Sequence, residues 1–162
     1  MLFRSGAGQF LFAGKNSSGN RRRSALKFDV AATLPQGAQV LNASLQLTAA
    51  NTQGTNNPAT LYPLTEDWSE GGTDAPAAEG AGAASSPGDT TWTYRSFNTS
   101  PWTNAGGTYN ATIADTISIS GGGVYTWPSS TTLVSTVQAW LDTPASNAGW
   151  LLVGDESTPG AT

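Results

Sequence analysis

The side chains able to do chemistry in this sequence are few, and two absences narrow them further. Its 162 residues contain no histidine and no cysteine. That removes Ser-His-Asp and Cys-His nucleophilic catalysis, histidine-ligated zinc and imidazole acid–base work. Lys15 and Lys27 stand in a turn and on a strand, with no serine constellation beside them, so the chemistry left is that of carboxylates. There are 11 Asp and Glu residues, with Glu66, Asp67 and Glu70 close together and Asp155-Glu156 near the end. A glycosidase needs two carboxyl groups facing across a cleft, about 5–5.5 Å apart when retaining and about 6.5–9.5 Å when inverting. No strand carries a glutamate flanked by aromatic residues in that manner. Solvated loop acids are the plainer reading, and a carboxylate-based glycan-cleaving enzyme ranks last among the functions considered.

The same acids suit a hard cation better. Calcium takes about six to eight oxygens from carboxylates and carbonyls, which loops rich in Asp, Asn, Gly and Thr supply. Asp67, Glu70, Asp155 and Glu156 are the candidate ligands for a structural calcium, without EF-hand spacing.

Six tryptophans raise the question of sugar recognition. Flat aromatic faces stack on sugar rings, yet a Trp also buries roughly 150–250 Å² when packed in a core. Trp140 falls on the apolar face of a helical pattern, Trp150 opens an apolar strand and Trp68 closes another, so these three read as core. Trp92, Tyr94, Trp102, Tyr125 and Trp127 lie in polar, turn-rich surroundings and are the candidate carbohydrate contacts. Arg22, within Arg21-Arg22-Arg23, is a candidate for meeting an acidic polysaccharide such as a uronate polymer. The plainer alternative is that these charges simply face water.

Those residues must be positioned by strands. Charged residues make up only 11% of the chain, with Gly, Ala, Ser, Thr and Asn in the place of the Lys and Glu that clothe helices. Leu26, Phe28 and Val30 alternate with polar residues over 23–30, and Ala43, Leu45, Leu47 and Ala49 do so over 40–49. Shorter strands are expected at 9–13, 60–64, 90–97, 113–119, 124–127 and 149–153. The Ala/Gly/Pro/Ser-rich stretch 71–88 reads as a surface excursion. Leu133, Val134, Val137, Trp140 and Leu141 recur at helical spacing, predicting one short helix over 131–142, capped by Thr131 or Thr132 and stopped by Pro144. The expected fold is an all-β jelly-roll β-sandwich with that single helix.

Net charge is −4, with only Arg21–Arg23 clustered, which argues against a nucleic-acid partner. No apolar run reaches the roughly 18 residues of a membrane span, and the first eight residues lack a signal-peptide pattern. Without cysteine, the redox compartment is not readable.

An ordered series of segments resembles the DNRLRE-domain family of secreted prokaryotic surface proteins. It comprises Arg23-Ser-Ala-Leu-Lys-Phe-Asp29, Leu34-Pro-Gln-Gly-Ala-Gln-Val40, Ala43-Ser-Leu-Gln-Leu47, Asp67-Trp-Ser-Glu70, Thr91-Trp92, Pro101-Trp102, Val137-Gln-Ala-Trp-Leu141, Asn147-Ala-Gly-Trp-Leu-Leu152 and Gly154-Asp-Glu156. The resemblance implies a β-sandwich, an extracellular or cell-surface location and a non-catalytic role; some relatives are carbohydrate-binding modules, alginate binders among them. The matched tryptophans look like fold determinants, which weakens the case for display of Trp92 and Trp102. Thr108 and Thr136 stand where similar sequences often carry Asp, weakening an acid-held cation. The expected organisation is a leader or artefact over 1–7 and one domain over 8–162, truncated at both ends as in a metagenomic fragment. The leading expectation is a polysaccharide-binding or adhesive module. A structural surface module without a small ligand is the alternative.

Overall fold

The structure is a computed structural model, described here for residues 7–50, 52, 54–76, 79 and 82–160. Its strands are β1 (Gly14–Lys15), β2 (Arg21–Leu26), β3 (Leu45–Ala49), β4 (Asn57–Pro63), β5 (Tyr94–Ser96), β6 (Ser100–Pro101), β7 (Asp115–Ile119), β8 (Gly123–Trp127) and β9 (Trp150–Val153). A single helical turn, α1 (Val30–Thr33), and one longer helix, α2 (Thr131–Asp142), complete the regular elements together with a 3-10 turn at Pro144–Ser146. This is an all-β, sandwich-like fold with one short helix of substance. The chain divides into two compact units. One joins the described residues up to Phe12 with Leu64–Tyr109; the other joins Ala13–Pro63 with the described residues from Asn110 onward.

The second unit holds a five-stranded antiparallel sheet in the order β1-β2-β9-β4-β7 and a two-stranded ribbon, β3-β8. Register places Leu26 opposite Trp150, Leu61 opposite Leu152 and Leu45 opposite Trp127. Because side chains alternate along a strand, these residues share the inner faces. They meet Leu133 and Trp140 of α2 in one core. Trp140 and Trp150 pack with ring centroids 4.6 Å apart. Pro58 and Pro63 both fall in β4, a strand with neighbours on either side. Pro58 pairs only with β7 and Pro63 only with β9, so each missing N–H lies where one side of the ladder is open.

Helix α2 spans the residues its spacing predicts. Its cap is Ser130, ahead of the expected Thr131 or Thr132: the Ser130 hydroxyl accepts from Leu133 N and donates to Ala114 O at 2.6 Å. One hydroxyl thus serves both the helix end and the segment leading into β7. At the other end Pro144 opens the 3-10 turn that follows Thr143.

Several expected strands are shorter, and in each case a side chain has taken the backbone groups a ladder would use. The stretch 9–13 is not a strand, because Gln9 N and Phe10 N donate to the Glu79 carboxylate at 2.7 and 3.2 Å. β2 stops at Leu26, and Asp29 caps α1 by accepting from Ala32 N, which takes Phe28 and Val30 out of the sheet. β3 begins only at Leu45, since Val40 N donates to the Gln138 side chain and Ala43 N to the Ser129 hydroxyl. Nor is the stretch 71–88 a plain surface excursion, for Ala75 and Glu79 within it are buried. The leader expected over 1–7 lies almost wholly outside the described residues.

Candidate functional site

In the first unit, residues 91–102 form a short aromatic hairpin. Thr91 N donates to Tyr94 O at 2.6 Å and Tyr94 N donates to the Thr91 hydroxyl at 2.8 Å, closing a tight turn with Trp92 and Thr93 at its apex. The apex carbonyls are held from outside: Gly106 N donates to Trp92 O and Trp102 N to Thr93 O. Beyond the turn, β5 and β6 pair, and Asn98, with φ 66°, takes the left-handed position of the connection. Trp92, Tyr94, Arg95 and Phe97 are half-buried along this segment. Tyr94 and Phe97 meet edge to face at 5.6 Å, a favoured aromatic geometry.

Beneath the hairpin lies a polar layer. Asp89, Thr90 and Thr91 are all buried. The Thr90 hydroxyl donates to Ser69 O or Arg95 O, at 2.6 and 2.9 Å, and Phe97 N donates to Asp89 O at 2.7 Å. Arg95 reaches Asp67 O through Nη1 at 3.1 Å. Glu66 accepts from the Thr103 backbone and hydroxyl. Burial pushes the Glu66 and Asp89 carboxyls up, but hydrogen bonds outweigh it and hold both below their ordinary values. For Glu66 these come from Thr103 and Thr108, with Arg95 adding its charge; for Asp89 they come from Thr73, Ser86 and Gly72. The two depressed values stabilise the folded form above the usual carboxylate range, and that contribution is lost as pH falls through the folded values. The melting temperature is therefore expected to fall progressively below about pH 4; a melt unchanged down to pH 2 would contradict these hydrogen bonds.

The sequence-selected residues separate on the structure. Trp92 and Tyr94 come together on the hairpin. Trp102 does not join them on the surface: it is 6% exposed, and its Nε1 donates to Thr91 O at 2.9 Å, so it anchors the turn from below. Trp127, in the second unit, is 1% exposed and donates to Ala59 O at 2.9 Å. Both rings are corrected from contact to core. Tyr125 is half-buried on β8, its hydroxyl bonded with Ser120 and Gly121. Of the three tryptophans read as core, Trp140 and Trp150 are buried and Trp68 is half-buried.

Arg22 shares strand parity with Leu26, and burial lowers its pKa. Its neighbours differ. Arg23 makes a two-pronged pair with Glu156, at 2.6 and 2.9 Å, and the more exposed Arg21 lies 3.7 Å from the same carboxylate. Lys15 sits opposite Arg21 across β1 and β2, so two like charges face each other at this sheet edge.

The four acids named for calcium divide between the units. Asp67 and Glu70 are exposed in the first; in the second, Asp155 Oδ1 accepts from Ser157 and Thr158, which holds it well below the usual carboxylate range, and Glu156 serves Arg23. Among the described residues no three such side chains gather as a metal site. A cation there would rest largely on carbonyl oxygens.

Sequence reasoning missed Arg95, Phe97 and Asp89. Arg95 had a signal: it is the only Lys or Arg after Lys27, and it sits among aromatics. Phe97 shares its short segment with Trp92 and Tyr94. Nothing local marks Asp89 as buried. An open groove beside α2, lined by Gln39, Val40, Ser129, Thr131, Val134 and Ser135, contains no aromatic ring.

No curated protein and no solved structure matches the chain. A family model does match, over residues 5–129, taking in both the Arg21–Arg23 run and the aromatic hairpin and ending before α2. With that much of its 162 residues matched, the chain belongs to carbohydrate-binding module family 96.

Proposed function

We propose that this chain is a non-catalytic module that binds polysaccharide at or outside the cell surface, with Trp92 and Tyr94 as its sugar-stacking platform. The observation that carries the reading is the pair of half-buried rings on a hairpin fixed by buried hydrogen bonds. A platform already held in place loses little freedom when a ligand arrives. Arg95, next to Tyr94 on the same segment, favours a polymer bearing carboxylates. The non-catalytic part is supported by the matching family, which is one of binding modules. No described helix is long and apolar enough to cross a membrane.

Burial of Trp102 and Trp127 keeps a second reading in play, that of a structural surface module with no small ligand. Titration calorimetry against uronate and neutral oligosaccharides, each with and without calcium, separates the two. We expect saturable binding to one glycan class, weakened about five- to hundred-fold by Trp92→Ala, the loss expected of an aromatic anchor worth about 1–3 kcal/mol. An intact, cooperative melt with no binding to any class favours the structural module. Dependence of binding on calcium would assign a cation to the fold.

A further inference from the structure

We infer that Asp89 is the positioning residue of the aromatic hairpin, an inference that rests on the proposed role of Trp92 and Tyr94 in binding. Asp89 is 1% exposed, and its side chain gathers two separate stretches of the first unit. Thr73 donates to it from both its backbone N, to Oδ1 at 3.3 Å, and its hydroxyl, to Oδ2 at 2.5 Å; Ser86 N donates to Oδ2 at 2.6 Å. Its own backbone carbonyl receives Phe97 N. One residue thus joins Thr73, Ser86 and the far arm of the hairpin. It is followed by Thr90 and Thr91, which tie to Arg95 and Tyr94.

Space has been left for this carboxylate. A Cβ on Gly71, at φ +79°, would lie 2.0 Å from Asp89 Oδ1 and 2.6 Å from Asp89 Cα. Any other residue at 71 displaces Asp89. The arrangement also demands an acid and not merely a polar group of that size. Each oxygen faces a backbone N–H, that of Thr73 at Oδ1 and that of Ser86 at Oδ2, so both oxygens must accept. An amide in the same place turns one acceptor into a donor facing another donor, and buried donors left in that state are costly. A buried charge of this kind is tolerated only when fully bonded, and here the bonds converge on the root of the segment that carries Trp92.

The test uses the full chain with 5-fluorotryptophan, in wild type, Asp89→Asn and the milder Thr73→Val, which removes only the hydroxyl donor. Trp92→Phe assigns the Trp92 resonance. In Asp89→Asn, the fluorine line of Trp92 is expected to shift or broaden while those of Trp140 and Trp150 stay in place, with a smaller change in Thr73→Val. Glycan affinity is expected to fall about ten-fold in Asp89→Asn, with Trp92 itself untouched. An unmoved Trp92 line in both variants overturns the positioning role, even if stability has dropped. If Asp89→Asn fails to fold, Thr73→Val decides alone. A wild type that binds no glycan sinks the proposed function, whereas the Trp92 line still tells whether Asp89 holds the hairpin.

Discussion

Replacing Trp127 by alanine is expected to lower stability by about 3–5 kcal/mol, the usual range for removing a large aromatic from a core. For a chain of this size that amounts to a fall of about 6–20 °C in melting temperature. The ring is 1% exposed and packs in the cluster containing Leu45, Leu61, Leu133 and Trp140. Truncation removes contacts on every side, and the surrounding strands, tied by the β3-β8 and β4-β7 ladders, can collapse only in part. Trp127→Phe separates packing from hydrogen bonding: it keeps most of the apolar volume but leaves Ala59 O without its indole donor. About 1–3 kcal/mol is expected for that change. Differential scanning calorimetry of both variants is the measurement. A Trp127→Ala protein that melts like wild type but no longer binds glycan would return this ring to the ligand surface.

Gly149→Ala should cost more than about 3 kcal/mol, although it adds a single methyl group. Gly149 has φ +80°, and a Cβ there would lie 2.1 Å from Leu26 O and 3.1 Å from Lys27 Cα. The obstacle is backbone, so no side-chain rotation relieves it. Relief requires β9 to withdraw from β2 where Leu26 pairs with Trp150, and Trp150 is the ring that packs on Trp140 and Phe28. Asn147 fixes the same point, donating to Phe28 O at 2.7 Å and accepting from Gly149 N. Gly37→Ala is the control. Its φ is +82° with nothing within 4 Å, so it carries only the left-handed backbone penalty of about 1–2 kcal/mol. Urea unfolding of the two variants compares strain alone with strain plus collision; equal costs would show that the β2–β9 junction yields.

Much of the fold is written in local pattern. Of the alternation expected over 23–30 only the part up to Leu26 becomes strand, whereas that from Leu45 to Ala49 does so in full and the helical spacing of Leu133 to Leu141 becomes α2. These signals are readable because the period of apolar residues is a property of the chain itself and the interior only has to accept it. Expected boundaries move where a distant side chain competes for a backbone group. Glu79 takes Gln9 N and Gln138 takes Val40 N, over separations that no window of neighbouring residues contains.

The candidate site divides along the same line. Absence of histidine and cysteine, the net charge of −4, and the aromatic-rich stretch around Trp92 were all settled by composition and order alone. Which tryptophans face solvent was not. Trp92 and Trp102 stand in similar polar, turn-rich sequence, yet one lies at the apex of a turn and the other beneath it, donating to Thr91 O. Exposure is decided by what packs on a ring from elsewhere in the chain, which residue type and neighbours do not specify. The same holds for Asp89, whose environment is assembled from Gly71, Thr73, Ser86 and Phe97. Only the tertiary structure brings those groups to one point, and a buried carboxylate is stable there because they all arrive together.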